Sequence, residues 1–202
     1  MSRRTAQFPI LPSGSFAALL FGVFIWGSGT AEAAPTAYIL DAAASVVGFE
    51  SDFGADKIRG QFPIAASAIA IDFSDFRQST ISVTLNAAGA EASIPFAAEA
   101  MKGPKNLDTA EFPLITFTSS TVVANGDKAA IEGTITIRGI ARPLTMQAQL
   151  FQVAGETTGD YTHLTIALSS ALNRSDFGAN GWADMVGDQV RINILARIDK
   201  AP

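Results

Sequence analysis

GTITIRGIARPLTMQAQL, residues 133–150, is the stretch whose reading decides the fold. Ile135 and Ile137 alternate with threonines before Gly139, and Leu144, Met146, Ala148 and Leu150 alternate with Thr145, Gln147 and Gln149 after it. Extended chain sends successive side chains to opposite faces, so each run builds one apolar and one polar face. Gly139, followed by Arg142-Pro143, marks a reversal between the runs. Two strands, each buried on one face, are expected here.

The same period extends along the chain. SAIAIDF (67–73) places Ile69, Ile71 and Phe73 together, TISVTL (80–85) places Ile81, Val83 and Leu85, and HLTIAL (163–168) and VRINI (190–194) repeat the pattern. The residues between them are Thr, Ser, Gln, Arg and Asn, suited to a solvated outer face. Asn125-Gly126 before Asp127 is the strongest hairpin signal, and Gly155 to Gly159 marks another reversal. One segment, PFAAEAMKG (95–103), reads as a helix, with Pro at its start and Gly at its end. It is too short to stand alone. About eight strands and one or two short helices remain, with no repeat or linker between them. That pattern fits an all-β sandwich or a closed antiparallel barrel, with the barrel preferred. A barrel of about eight strands either fills its interior with side chains or leaves room for one small ligand, and composition does not choose.

The N-terminus reads differently. Arg3 and Arg4 precede the apolar run FAALLFGVFIW (16–26), and Ala31-Glu32-Ala33 supplies small residues at a cleavage site. That order is expected of a secretory signal over residues 1–33, removed after Ala33, with a single domain over 34–202. Ser2-Arg3-Arg4 hints at twin-arginine export, but Ala6 and Gln7 stand where bulky apolar residues belong, so the route stays open. An apolar run of 11 residues is too short for a membrane span, which takes about 20.

The 202 residues contain no cysteine, which excludes disulfides, thiol catalysis and thiolate metal sites. The formal net charge is −5, and removing residues 1–33 leaves about −6. An acidic chain without a basic cluster repels nucleic acid and anionic membrane surfaces.

Read in order, several motifs resemble YceI-like proteins. AYILDAAASVVGFESDFGADKIRGQF, SAIAIDFSDFRQSTISVTLN, EFPLITFTSS, GTITIRGIARPLTMQAQL, RSDFG and VGDQVRINI are similar to that family's successive strand pairs, over most of residues 38–200. The resemblance implies an antiparallel lipocalin-like β-barrel that holds an isoprenoid or other long-chain lipid in an apolar interior, exported to the periplasm. One segment departs: AAEAMKGPKNLDTAEFP lacks the Arg-x-x-His-Leu-x-Ser element found before the Phe-Pro strand in many members. Lys102 and Lys105 are the cations left in that stretch, and a role for the missing element in holding a polar head group is not carried over.

With the hollow barrel implied by the resemblance, the expected lining is Phe49, Phe62, Ile69, Ile71, Val83, Leu85, Phe117, Ile135, Ile137, Ile166 and Leu168. The short helix with Phe96 and Met101 is the expected lid, Met being pliable. The reading is an exported, non-enzymatic protein that sequesters or carries its lipid, with no cofactor, no metal, no nucleic acid and no stable membrane insertion of the mature chain. A homodimer is left open. The alternatives are an enzyme acting on a bound lipid through rim Asp residues, or a filled barrel serving as a protein-interaction module.

The polar residues have plainer readings. His163, the only histidine, falls on the face opposite Leu164, Ile166 and Leu168, with no nucleophile elbow in the sequence. Asp52 with Asp56, Asp72 with Asp75, and Asp184 with Asp188 sit among Gly, Ser, Asn and Phe, where Asp commonly accepts from turn amides. RSDFGANGWADMVGDQVRINI (174–194) gathers charges and glycines before a strand; Arg174 and Asp176 share a face if that segment is extended, and residues 186–188 turn into the last strand. The cluster is expected to shape one end of the barrel.

Overall fold

Period-two patterning becomes strands nearly everywhere it occurs. The computed structural model describes residues 34–151 and 159–202; the expected leader over 1–33 and the reversal from Gly155, short of Gly159 itself, lie outside them. The strands are β1 (Thr36–Leu40), β2 (Val46–Phe53), β3 (Asp56–Gln61), β4 (Ile64–Ile71), β5 (Thr80–Asn86), β6 (Glu91–Ala92), β7 (Leu114–Asn125), β8 (Lys128–Ile137), β9 (Ile140–Phe151), β10 (His163–Asn173) and β11 (Val186–Lys200). One helix, α1 (Pro95–Lys102), lies between β6 and β7, and two 3-10 turns span Phe76–Gln78 and Arg174–Phe177.

Antiparallel pairing runs β1-β4-β5-β7-β8-β9-β10-β11 and returns from β11 to β1, so eight strands close into a lipocalin-like barrel. Closure satisfies edge amides that an open sheet would expose. The seam is short, with Tyr38, Ile39 and Leu40 opposite Lys200, Asp199 and Ile198. β11, 15 residues long, lays its remaining length against β2, which pairs β3, which pairs β6. β1 leads into β2 through a corner where the Asp41 carboxylate accepts from the amides of Ala43 and Ala44, both at 3.0 Å. Phe62 and Pro63 make the matching corner between β3 and β4.

The inward faces follow the sequence pattern. Ile131, Ile135 and Ile137 of β8 and Leu144, Met146 and Ala148 of β9 are buried, while Glu132, Thr134, Thr145 and Gln147 face out. Together with Ile115, Phe117 and Phe177 they form the larger apolar cluster, and Tyr38, Ile71, Leu164 and Ile198 form a second one behind the seam.

Three turn readings change. Between Ile137 and Ile140 both turn residues take positive φ, Arg138 at 51° and Gly139 at 70°, the sense of a two-residue hairpin turn that follows strand twist. Pro143 therefore sits inside β9 and not at the reversal. It lies beyond the last β9–β10 pair, Gln147 with Ser169, where the strand has one neighbour and a missing N–H is tolerated. In the β7–β8 hairpin Asn125 pairs with Lys128, so the turn residues are Gly126 and Asp127, and Gly126 alone is at positive φ, 63°.

Candidate functional site

The inward side chains leave space. A cavity of about 240 Å³ occupies one part of the lumen and a second of about 200 Å³ the other. Ile69, Ile71, Val83, Phe117, Ile166 and Leu168 line the first; Phe49, Phe62, Phe96, Met101 and Ile137 line the second; Leu85 and Ile135 line both. All the residues expected from the sequence thus border one or both cavities, those on the ring strands through alternation. Phe49 does so from β2, Phe62 from the β3–β4 corner, and Phe96 and Met101 from α1. Ile115 and Ile192 also line both cavities and were missing from that set. Their signal was present in the alternation of ITF and VRINI, but only the register of β7 and β11 puts them between the two spaces.

The two ends differ. The first cavity reaches Tyr161, whose ring stacks on Phe73 at 3.9 Å between centroids, and the β7–β8 turn with Asp127 and Lys128. Tyr38 donates its hydroxyl to the Tyr161 carbonyl at 2.7 Å, and burial, with Tyr161 and Asp160 nearby, pushes its phenol above the ordinary value. The second cavity opens beneath α1, where Phe96 is 64% exposed, Trp182 55% and Met185 42%. Pro95 starts α1 at a position whose amide needs no partner, and Ala97 packs inward, so Phe96 is left at the mouth. Lys102, 3.5 Å from Glu99, and Lys105 line neither cavity.

Arg174 answers the question raised by the glycine-rich stretch. Residues Arg174–Phe177 form a 3-10 turn, so Arg174 and Asp176 do not share an extended face. The Arg174 guanidinium donates to the carbonyls of Ala179 (2.7 Å), Gly181 (2.7 Å), Val186 (2.9 Å) and Gly187 (3.1 Å), and to Asn106 Oδ1 (3.3 Å). Carbonyls of an irregular loop and of the irregular start of β11 need donors, and one five-donor fork supplies them. Phe177, 2% exposed, anchors the turn in the barrel wall, and Gly178 at φ 70° ends it. Asp188 accepts from the Ser175 amide at 2.9 Å and hydroxyl at 2.8 Å, and residues 186–188 already belong to β11. Asp176 lines a separate polar cleft with Arg142, Asn173 and Gln189.

Several of the remaining carboxylates serve caps and outer-face pairs. Asp52 is 3.3 Å from Arg191, and Asp75 caps the 3-10 turn by accepting from the Arg77 amide at 3.1 Å. Asp72 accepts from the amides of Ser74 (2.8 Å) and Asp75 (2.9 Å) and from the Ser74 hydroxyl, which holds its carboxyl below the usual range. Glu50 is held low by Lys57 and Arg59 across β2 and β3. His163 Nδ1 lies 2.7 Å from Asp199 on the outer face. None of the three Asp pairs lines either lumen cavity, and among the described residues no cluster of His, Asp or Glu is placed to hold a metal. No helix among them is long and apolar enough to cross a membrane.

An oily lumen walled by closed antiparallel strands, with no buried side-chain polar atom unpartnered among the described residues, defines a lipocalin-like barrel. The YceI-like domain profile matches residues 38–198, from within β1 to within β11. The chain belongs to the YceI-like family. Protein YceI of Escherichia coli O157:H7 is 26% identical over 137 residues, covering 67% of this chain and 72% of the relative. A UPF0312 protein of Pseudomonas aeruginosa is 26% identical over 165 residues, covering 81% and 86%. Among solved structures, Burkholderia cenocepacia BcnA superposes with a TM-score of 0.70 at 22% identity, covering 79% of this chain and 99% of that one. A polyisoprenoid binding domain from Saccharophagus degradans superposes with a TM-score of 0.61 at 14% identity, covering 82% and 99%.

Proposed function

We propose that this protein is an exported binding protein that holds a polyisoprenoid or other long-chain lipid in its lumen and carries or sequesters it in the periplasm. One observation carries the reading: two apolar cavities adjoin through shared wall residues, so the barrel is oily along its interior. Each methylene transferred from water to such a wall gains ~0.8 kcal/mol, so an isoprene unit of about five carbons gains ~4 kcal/mol before the tail's lost freedom is subtracted. The polyisoprenoid ligand of the Saccharophagus degradans domain, which shares this fold, supports the same ligand class. The leader-like residues 1–33 support export, with the mature chain starting at Ala34. The thirteen expected lining residues are the proposed contacts, with Phe96 and Met101 at the mouth.

The test is extraction of the protein, purified from the periplasmic fraction, with organic solvent, followed by mass spectrometry. A long-chain lipid in near-stoichiometric amount is expected, together with an N-terminus at Ala34. Recovery of no lipid, with no uptake of added isoprenoid alcohols by the delipidated protein, would sink the binding reading. An intact N-terminus on cytoplasmic protein would sink the export reading separately.

A further inference from the structure

We propose that Leu85, Ile115, Ile135 and Ile192 form a collar that a single lipid chain must thread, and that this collar selects which chains the protein retains. The proposal rests on the lipid-binding reading above and adds the ligand's shape: one linear tail, spanning both cavities. Among the described residues these four, and no others, line both cavities. They belong to or pack against one apolar cluster and form the wall that the two cavities share, which is where we place the narrowing.

Their strands explain the geometry. Leu85 on β5 and Ile115 on β7 are directly paired, and Ile135 on β8 stands opposite Phe117 of β7. β5, β7 and β8 are neighbours in the ring, whereas β11, which carries Ile192, stands diametrically across from β7. Ile192 therefore closes the collar from the far wall. Three of the four side chains are β-branched, which restricts their χ1 freedom. Such a collar keeps its width, in contrast to the mouth, where Met101 adapts to what lies beneath it. No polar side chain is part of the collar, so a hydrocarbon passes it without desolvating anything.

Two consequences follow for the ligand. A tail too short to pass fills one chamber and leaves the other unused, while each further methylene carried through the collar adds about fourfold to affinity. Two tails side by side require twice the aperture, so single-tailed isoprenoids are admitted and diacyl lipids are not.

Native mass spectrometry on the delipidated wild-type protein tests this with farnesol as the short probe and solanesol as the long one. Solanesol bound across the collar should exclude farnesol from both chambers. A complex holding one of each would overturn the threading proposal without touching the lipid-binding reading, whereas failure to bind either alcohol defeats that reading itself. A second arm uses Ile192→Phe and Leu85→Phe, which narrow the collar from opposite walls. Each should weaken solanesol binding by at least about tenfold more than it weakens farnesol binding. Collar variants that fold and still bind solanesol like the wild type would also overturn the proposal.

Discussion

Arg174 shows how a charged residue in a glycine-rich loop can be consumed by architecture. Its guanidinium is the shared donor for carbonyls at 179, 181, 186 and 187, of which Gly187 also accepts from the Ser51 hydroxyl on β2. Arg174→Ala leaves the carbonyls of Ala179, Gly181 and Val186 without their side-chain donor and Gly187 with the Ser51 hydroxyl alone. It is expected to cost ~2–4 kcal/mol in urea unfolding, with Arg174→Lys recovering only part because an ammonium lacks the planar fork. An Ala variant as stable as the parent would return the loop to the list of functional candidates. Asp72 makes the second residue-scale case. It is only 4% exposed and its carboxylate is held low first by the Ser74 hydroxyl and then by the amides of Asp75 and Ser74. The folded chain thus binds fewer protons than the unfolded one between the lowered value and the ordinary carboxylate value. Stability from Asp72 is full above the ordinary value and drains as pH falls through the lowered one. Asp72→Asn should flatten the acid limb of a Tm-against-pH curve, and parallel curves for parent and variant would refute this. The turn and cap roles of Asp72 and Asp75 were readable from their neighbours in sequence, whereas Asp188 accepts from Ser175 and Asp52 pairs with Arg191, both across the fold. Arg174 was not readable either, because its partners include Asn106, which lies far along the chain.

At the scale of elements, two glycines keep the lumen open. Gly60 on β3 pairs directly with Phe49, and an added Cβ would collide with the Phe49 ring and the Glu91 carbonyl. On β8, a Cβ at Gly133 would strike the Thr118 carbonyl and come within 2.6 Å of Phe117 Cζ. In both places an aromatic ring lies along the wall over a residue without a side chain, the arrangement in which a strand glycine permits close approach. Gly60→Ala and Gly133→Ala should each lower stability by ~1–3 kcal/mol and push the ring inward. The measurement is paired, thermal melting with uptake of an isoprenoid alcohol, and a loss of stability with unchanged uptake would count against the inward movement. Individual strands were legible because alternation is local: SAIAIDF, TISVTL and VRINI each declared their buried face. The two-residue β6, the break between β1 and β2, and Pro143 within a strand were not. They depend on which neighbour stands alongside, and that is set by register across the whole sheet.

For the whole molecule the question is what closes the barrel and what fills it. Sequence pattern left sandwich and barrel both open, because the seam consists of three pairs between segments near opposite ends of the chain. Behind it Ile198, among the most buried side chains, packs with Tyr38, Ile71 and Leu164, so closure and core formation happen together. Inside, cavities of about 240 and 200 Å³ lined by aliphatic and aromatic groups forfeit the contacts that a filled core would make. A ligand that restores those contacts binds the folded state alone and stabilises it by mass action, ~2.7 kcal/mol when present at a hundred times its Kd. For a domain of this size that corresponds to a rise in Tm of ~5–10 °C, since each kcal/mol shifts the midpoint by ~2–4 °C. Delipidation should therefore lower Tm by that order, and titrating solanesol back should raise it logarithmically with concentration. The same titration on Ile192→Phe should give a shallower rise, because a tail stopped at the collar restores contacts in one chamber only. A Tm indifferent to added lipid in the delipidated parent would mean that the lumen gains nothing by being filled, and with it the binding reading would fall.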